Sequence, residues 1–244
     1  MAKYDDIVNL ALRRSIFYPA SEIYANSPAG MFDYGPYGAA VKRKIVELWR
    51  KELVQKEDFI EIDGAQIMPA DVFKASGHLK SFADPITQCK KCNTIYRADK
   101  LLSEATGESF PEAMLPEEYT KEIETHKLKC QKCKGELLPV VKFNLMVKAD
   151  VGMKSKNDCY LRPESCQSIF VDFARMNKTM RMKLPKGISQ YGRVFRNEIS
   201  PRQTLIRSVE FSQMETEIFF DPEKINEVEN FDEVKDYKVR ICRS

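Results

Sequence analysis

The hydrophobic pattern changes period along the chain. From Ala39 to about Gln55, Val41, Ile45, Leu48 or Trp49, and Leu53 recur at three- and four-residue steps between Lys42, Arg43, Lys44 and Lys51. That spacing predicts an amphipathic helix. Phe59 to Ile67 reads as a strand that Pro69 ends. Farther on, alternation takes over. Arg193 to Ile199 reads as a strand on which Val194, Arg196 and Glu198 share one face, just before a Ser200-Pro201 turn. Arg207 to Phe219 reads as its partner, with Phe211, Gln213, Glu215 and Glu217 on one face. The pair predicts a long antiparallel hairpin with one polar wall.

The remaining elements are shorter. Ile7 to Leu12 is helix-like, and Ala29 to Gly38 has the Gly/Pro density of an ordered loop. Cys89 to Cys133 reads as an insertion with an acidic, polar middle and a helix from Glu117 to His126. Strand character returns at Leu137–Val141 and Phe143–Val147, and Lys154 to Asp158 reads as a loop. Gln167 to Met176 predicts a helix with Ile169, Phe170 and Phe173 inward. The charged stretch from Glu223 to Ser244 holds a candidate strand at Tyr237–Ile241.

Composition narrows the class without deciding it. The chain has 244 residues, 43% of them apolar, and a net charge of +3, which is compatible with RNA but not diagnostic of it. No apolar run approaches a membrane span or a signal core, so a soluble cytoplasmic protein is expected. Four of the seven cysteines form two knuckles, Cys89-Lys90-Lys91-Cys92 and Cys130-Gln131-Lys132-Cys133. Two such turns supply the closed four-thiolate set of structural zinc, which leaves no open coordination position for chemistry. Neighbouring lysines offset the thiolate charge, and Gly135 is expected to relieve the second turn. Metal-free hairpins or a redox pair are the competing readings. Cys159, Cys166 and Cys242 read as buried thiols, and His78 as loop structure.

The hairpin carries the candidate chemistry. An arginine and a glutamate across a hairpin are ordinarily a solvated pair of little consequence. Here Phe195-Arg196-Asn197-Glu198-Ile199-Ser200-Pro201-Arg202, followed by Ile206-Arg207-Ser208-Val209-Glu210-Phe211, resembles motif 2 of class II aminoacyl-tRNA synthetases, most closely the glycyl-tRNA synthetases of archaeal and eukaryotic type. Supporting blocks are Ser21-Glu22-Ile23-Tyr24, Asp33-Tyr34-Gly35-Pro36, Ala75-Ser76-Gly77-His78, Tyr96-Arg97-Ala98-Asp99, Phe143-Asn144-Leu145-Met146 and Leu161-Arg162-Pro163-Glu164. The Ala39–Gln55 helix and its following strand resemble motif 1, through which the family dimerises; an ordinary helix packed on a sheet is the alternative.

The resemblance implies an α+β fold, a class II synthetase-like antiparallel sheet flanked by helices with a small zinc-knuckle insertion. Residues 1–88 would form the first part of the core, 89–135 the insertion, and 136–244 the second part. Glycine would be activated by ATP with Mg2+ and transferred to tRNA, with Zn2+ structural. Arg196 would contact the α-phosphate and the substrate carboxylate. Asn197, Glu198, Ile206, Arg207 and Phe211 would line the nucleotide site. Glu164 and Glu215 would hold the glycine ammonium, with Arg97 and Gln213 nearby, and Phe211 would stack on adenine. Two departures stand out: Ser168 occupies a position where the family usually has glycine, crowding a close backbone approach, and Lys100 one where histidine is common. The third family motif is not found, so the core is expected to be incomplete, with a C-terminal half on a second chain as one way to complete it. A non-catalytic synthetase-like protein binding nucleotide, tRNA or a partner is the second reading.

Overall fold

The structure, a computed structural model, describes residues 3–27, 29–111, 114–152, 158–198, 204–227 and 231–240. Helix α1 (Tyr4–Arg13) leads into the short pair β1 (Phe17–Pro19) and β2 (Phe32–Tyr34), which closes part of the stretch expected to be loop. Helix α2 (Pro36–Trp49) begins with proline at its first turn, where a missing N–H costs nothing. It continues as π-helical turns over Arg50–Gln55. Strands β3 (Ile60–Ile62) and β4 (Ile67–Pro69), helices α3 (Ala70–Ala75) and α4 (His78–Ser81), and strand β5 (Ala83–Gln88) follow. Then come β6 (Ile95–Arg97), α5 (Ala98–Thr106), α6 (Pro116–Thr125), β7 (Val141–Asn144), β8 (Val147–Ala149) and β9 (Cys159–Leu161). Helix α7 (Cys166–Met180), the hairpin strands β10 (Lys186–Phe195) and β11 (Glu210–Phe219), and α8 (Phe231–Val234) complete the elements.

The hairpin is the spine. Strands β10 and β11 pair antiparallel from Lys186↔Phe219 to Phe195↔Glu210, and β3 joins β10 in parallel. The expected single antiparallel sheet is therefore divided among the described residues into four small sheets: β1-β2, β11-β10-β3, β4-β9-β8 and β6-β5-β7. The strand expected from Phe59 to Ile67 is two strands in two sheets, separated at Asp63–Gln66.

Buried Arg162 explains that break. Its Nε donates to the Arg193 carbonyl at 2.9 Å and its Nη1 to the Gly64 carbonyl at 3.0 Å. Its own N–H meets Gln66 O at 2.8 Å, and its carbonyl accepts from Phe195 N at 2.9 Å. One guanidinium thus satisfies a carbonyl of β10 and one of the bend between β3 and β4, and the chain must bend around it. Burial lowers the pKa of Arg162, though arginine stays protonated there. Gly192 allows the contact, since a Cβ there would lie 2.0 Å from Nη2. Ser168 is buried against Gly64, whose absent Cβ would fall 2.3 Å from the Ser168 Cβ. The crowding expected from Ser168 is thus met by a glycine on the opposing segment.

Several local expectations are corrected. Val41, Ile45 and Leu48 are 56%, 51% and 58% exposed, while Val46 and Val54 are buried; Val41, Ile45 and Val46 line a cavity together with Tyr191, Phe211 and Met214 of the hairpin instead of closing on the sheet. Phe170 is exposed on α7, whereas Ile169 is buried and Phe173 stacks on Phe219 at 4.0 Å. Strand β10 ends at Phe195, so Arg196 and Glu198 leave the pleat that holds Val194. Residues 237–240 are not strand. Ser200, Pro201, Cys242 and most of the Lys154–Asp158 loop lie outside the described residues. Helix α5 was hidden in the polar middle of the cysteine segment.

Candidate adenylate site and metal centre

The turn Pro163–Ser165 joins β9 to α7 and is clasped from two sides. Arg196 Nε donates to the Pro163 carbonyl at 3.2 Å, and Arg196 Nη2 lies 3.9 Å from Glu164 Oε1. Opposite, Ser165 Oγ donates to Glu215 Oε2 at 2.6 Å, and Ser165 N donates to Gln213 Oε1 at 3.1 Å. Gln213 Nε2 in turn donates to Glu215 Oε1 at 3.1 Å. Strand alternation puts Gln213 and Glu215 on one face of β11, which is why both reach the same turn. Arg196, Glu164, Gln213 and Glu215 thus belong to one polar network.

The neighbouring carboxylates act on the groups around them. Burial pushes the Cys166 thiol up to about 12, reinforced by the negative charges of Glu215, Glu164 and Glu217. Glu217 is likewise raised, first by burial and then by Glu215 and Glu164.

The other hairpin residues form an adjoining group. The Arg196 guanidinium sits 5.4 Å from the Phe82 ring centroid and 5.3 Å from that of Phe211, held between two aromatic faces. Arg207 donates through Nε to Glu198 Oε2 at 2.5 Å. Its Nη2 lies 3.9 Å from buried Asp84, which Arg97 Nη1 approaches to 3.1 Å. Arg97 also donates to both oxygens of Asp99, at 3.1 and 2.7 Å. Arg97 therefore reaches the hairpin through Asp84. Burial raises Asp84 above the ordinary carboxylate range despite Arg97. Arg196, Glu198, Ile206, Arg207 and Phe211 line a cavity of about 630 Å³. Ile206 is exposed, and Asn197 is exposed with its N–H donating to Leu145 O at 2.8 Å.

A second cavity of about 520 Å³ is lined by His78, Glu164, Cys166 and Gln167 with apolar Val72, Phe170 and Val171. His78 is the residue missed by the sequence reading. Its Nε2 is 3.2 Å from Glu164 Oε2, although the two are far apart in the chain. Only its place in a Ser-Gly-His turn signalled it, and spacing cannot connect it to Glu164. Arg196 lines the first cavity and Glu164 the second; Glu215 lines neither and is half-buried beside them, with Ser165 and Gln213 donating to its two oxygens.

The four cysteines form the other candidate site. Cys89, Cys92, Cys130 and Cys133 place their sulfurs within 4.8 Å of one another, with Cys89–Cys133 and Cys92–Cys130 both at 3.5 Å. Tetrahedral zinc with bonds near 2.3 Å requires sulfur separations of about 3.8 Å, so the set fits. Asn93 and Lys134, each directly after a knuckle, take left-handed φ values of 55° and 60°. Gly135 contributes space: a Cβ would sit 3.1 Å from Cys89 Sγ and 3.2 Å from Cys133 Sγ. The expected turn-relieving role thus falls to Lys134. Lys90 pairs with Glu136 at 2.8 Å, so it does not serve the sulfurs. Burial would raise Cys130, but donors including the Tyr96 hydroxyl and the Cys133 N–H bring it down to about 6. Cys133 goes up to about 12, with the Cys92 sulfhydryl and burial outweighing the Gly135 N–H. Four adjacent thiols share protons unevenly unless a cation lets all ionise. Among the described residues no helix is long and apolar enough to cross a membrane.

Residues 147–239 match the family described as tRNA synthetase class II core domain (G, H, P, S and T). The chain is 44% identical over 241 residues to a glycine–tRNA ligase of Methanothrix thermoacetophila, covering 99% of this chain and 41% of that protein. It is 47% identical to that of Pyrococcus abyssi, and 43% identical to that of Methanococcus maripaludis, again over 41% of each. The chain spans about two fifths of the length of the curated relatives it matches. A solved structure titled as the RNA binding domain of threonyl-tRNA synthetase from Cryptosporidium parvum superposes with a TM-score of 0.56 at 22% identity. It covers 93% of this chain and 40% of that one, a likeness of fold. Over nearly its whole length the chain is therefore similar to about two fifths of these glycine–tRNA ligases, and residues 147–239 carry the class II core match.

Proposed function

We propose that this chain forms the adenylate-building part of a protein that attaches glycine to tRNA. The observation that carries the reading is the clasp of Pro163–Ser165 between Arg196 and Glu215, which gathers one cation and two carboxylates around a single turn. Glycine offers only an ammonium and a carboxylate to grip. Glu164 and Glu215 take the ammonium, and Arg196 faces the carboxylate and the α-phosphate together. The glycine carboxylate oxygen attacks the α-phosphorus, the bond to the bridging oxygen breaks, and pyrophosphate leaves. Arg196 presents a planar fork to the charge growing on the phosphate oxygens, and Phe82 and Phe211 hold that fork in place before substrate arrives. Such transfers depend on positioning and charge more than on covalent chemistry by the protein.

Glu198 accepts from the adenine amino group while Arg207 holds its other oxygen, and Phe211 stacks on the ring. The tRNA 3′ hydroxyl then attacks the glycyl carbonyl and AMP departs. Mg2+ accompanies the ATP phosphates and neutralises part of their charge. Zinc on Cys89, Cys92, Cys130 and Cys133 orders the 89–135 segment as a unit inserted in a core built from 1–88 and 136–244. Helix α2, where Leu48 is exposed, supplies the contact with a second copy, and the rest of the catalytic core lies in the same or a second polypeptide. The working compartment is the cytoplasm. The test is glycine-dependent ATP–pyrophosphate exchange by the protein together with any sequence that accompanies this chain in its host. Exchange with glycine and none with alanine is expected. Tight nucleotide or tRNA binding that ignores glycine would favour the non-catalytic reading instead.

A further inference from the structure

The sequence assigns His78 to a loop, but the fold builds it into a chain of contacts that ends on a substrate carboxylate. Gly77 sits at φ +81°, a conformation that glycine adopts without strain, and it turns the chain so that Ser76 and His78 face each other. Ser76 Oγ lies 2.8 Å from His78 Nδ1, and His78 Nε2 lies 3.2 Å from Glu164 Oε2. The imidazole packs edge-on to Phe73 at 6.3 Å and tilted against Phe82 at 5.4 Å, between the two rings. Asn144 Nδ2 donates to the carbonyls of His78 and Leu79 at 3.2 and 3.1 Å, which pins the backbone as well.

We propose that His78 is a positioning residue for glycine recognition: it holds Glu164 by one oxygen so that the other faces Arg196. The inference rests on the function proposed above. The two carboxylate oxygens are used differently. Oε2 receives His78 Nε2, Gln167 Nε2 at 3.3 Å and the Cys166 sulfhydryl at 3.7 Å. Oε1 is the oxygen 3.9 Å from Arg196 Nη2. A glutamate has three rotatable bonds, and a half-exposed one samples several rotamers. Three donors on one oxygen select a single rotamer and leave Oε1 for an ammonium. With Glu164 ionised, Nε2 must carry the ring proton, because a bare nitrogen lone pair would oppose the carboxylate. In the neutral ring Nδ1 is then the acceptor, and the Ser76 hydroxyl donates to it. Ser76 thereby sets the tautomer that Glu164 needs.

Two substitutions separate positioning from packing. His78→Phe keeps a ring between Phe73 and Phe82 but removes the donor. His78→Gln restores an N–H near the Nε2 position. In glycine-dependent exchange by the protein with its accompanying sequence, H78F is expected to raise the glycine KM about tenfold or more. The ATP KM and kcat should stay within about twofold, and H78Q should recover most of the loss. A glycine KM unchanged in H78F, or H78Q no better than H78F, overturns the proposal while leaving the proposed function standing. Absence of exchange by the wild-type protein would instead remove the function itself. Nitrogen NMR of the ring in the 244-residue chain gives a readout free of activity. An Nε2–H tautomer is expected, and an Nδ1–H tautomer overturns the assignment.

Discussion

The cysteine segment and the hairpin site are built in opposite ways. The first has a small core of its own, in which Ala98, Leu102, Tyr119, Ile123 and Val140 are buried against one another beside four converging sulfurs. The second leans on a cluster of Met68, Phe73 and Met146, with Phe82 packed against it, that belongs to the surrounding scaffold. Its members are polar side chains from β6, α4, β5, the Pro163–Ser165 turn, β11 and the segments that follow β10 and precede β11, held by hydrogen bonds and ion pairs. A region that closes on itself can fold with a single ligand. A region assembled from distant pieces depends on the surrounding scaffold, here on Arg162 tying β10 to the Gly64 bend.

Metal removal should break the comparison most visibly. Structural zinc contributes about 10–16 kcal/mol of apparent folding energy in small zinc modules. Chelation, or Cys130→Ser, is expected to abolish amide protection across Ala98–Val140 while β10 and β11 stay protected, as read by hydrogen exchange. Uniform loss across the chain would mean that the segment is not a unit of its own.

Substitution at Arg196 should do the reverse. Arg196→Ala is expected to lower glycine-dependent exchange by about 10²–10³-fold, the usual loss of one preorganised donor, with little change in melting temperature. Arg196→Lys should recover little, since an ammonium cannot replace the fork. A large fall in stability would make Arg196 structural.

Glu215→Gln should have a smaller, more selective effect. Ser165 and Gln213 retain partners, so the turn keeps its shape and one charge is lost. The glycine KM is expected to rise about tenfold to a hundredfold, in line with about 1.5–3 kcal/mol for a charged hydrogen bond, with the ATP KM unchanged. Equal losses for both substrates would place Glu215 outside the ammonium pocket.

Asp84→Asn sharpens the contrast with the smallest effect. The folded pKa of Asp84 is raised above 3.8, first by burial. The folded chain therefore holds this proton to higher pH than the unfolded chain. Stability is present in full below the unfolded value and falls as pH rises through the folded one. Urea unfolding between pH 4 and 7 should show that fall in the wild type and a flatter profile in D84N. A D84N penalty that shrinks with acidification would reverse the sign.

Sequence and structure part company along the same line. The knuckles, α6 and β11 were legible because their signals are local: a cysteine spacing, a helical period, an alternation; β10 begins at Lys186, ahead of the Arg193 start that alternation suggested. The break between β3 and β4 was not, since it comes from a buried arginine nearly a hundred residues away. Arg196 and Glu198 were read onto the strand because alternation continues past Phe195, where pairing with β11 stops. Helix α5 was masked by its polar exterior. For the site, residue identities came through resemblance to a motif, while His78 and Asp84 needed coordinates to be seen beside Glu164 and Arg207.

The most direct test is a crystal structure of the protein with a non-hydrolysable glycyl-adenylate analogue. The account predicts the ammonium on Glu164 Oε1 and Glu215, the phosphate on the Arg196 fork and the adenine against Phe211. An analogue bound elsewhere, or one that leaves the Pro163–Ser165 turn untouched and Arg196 uncontacted, would contradict it.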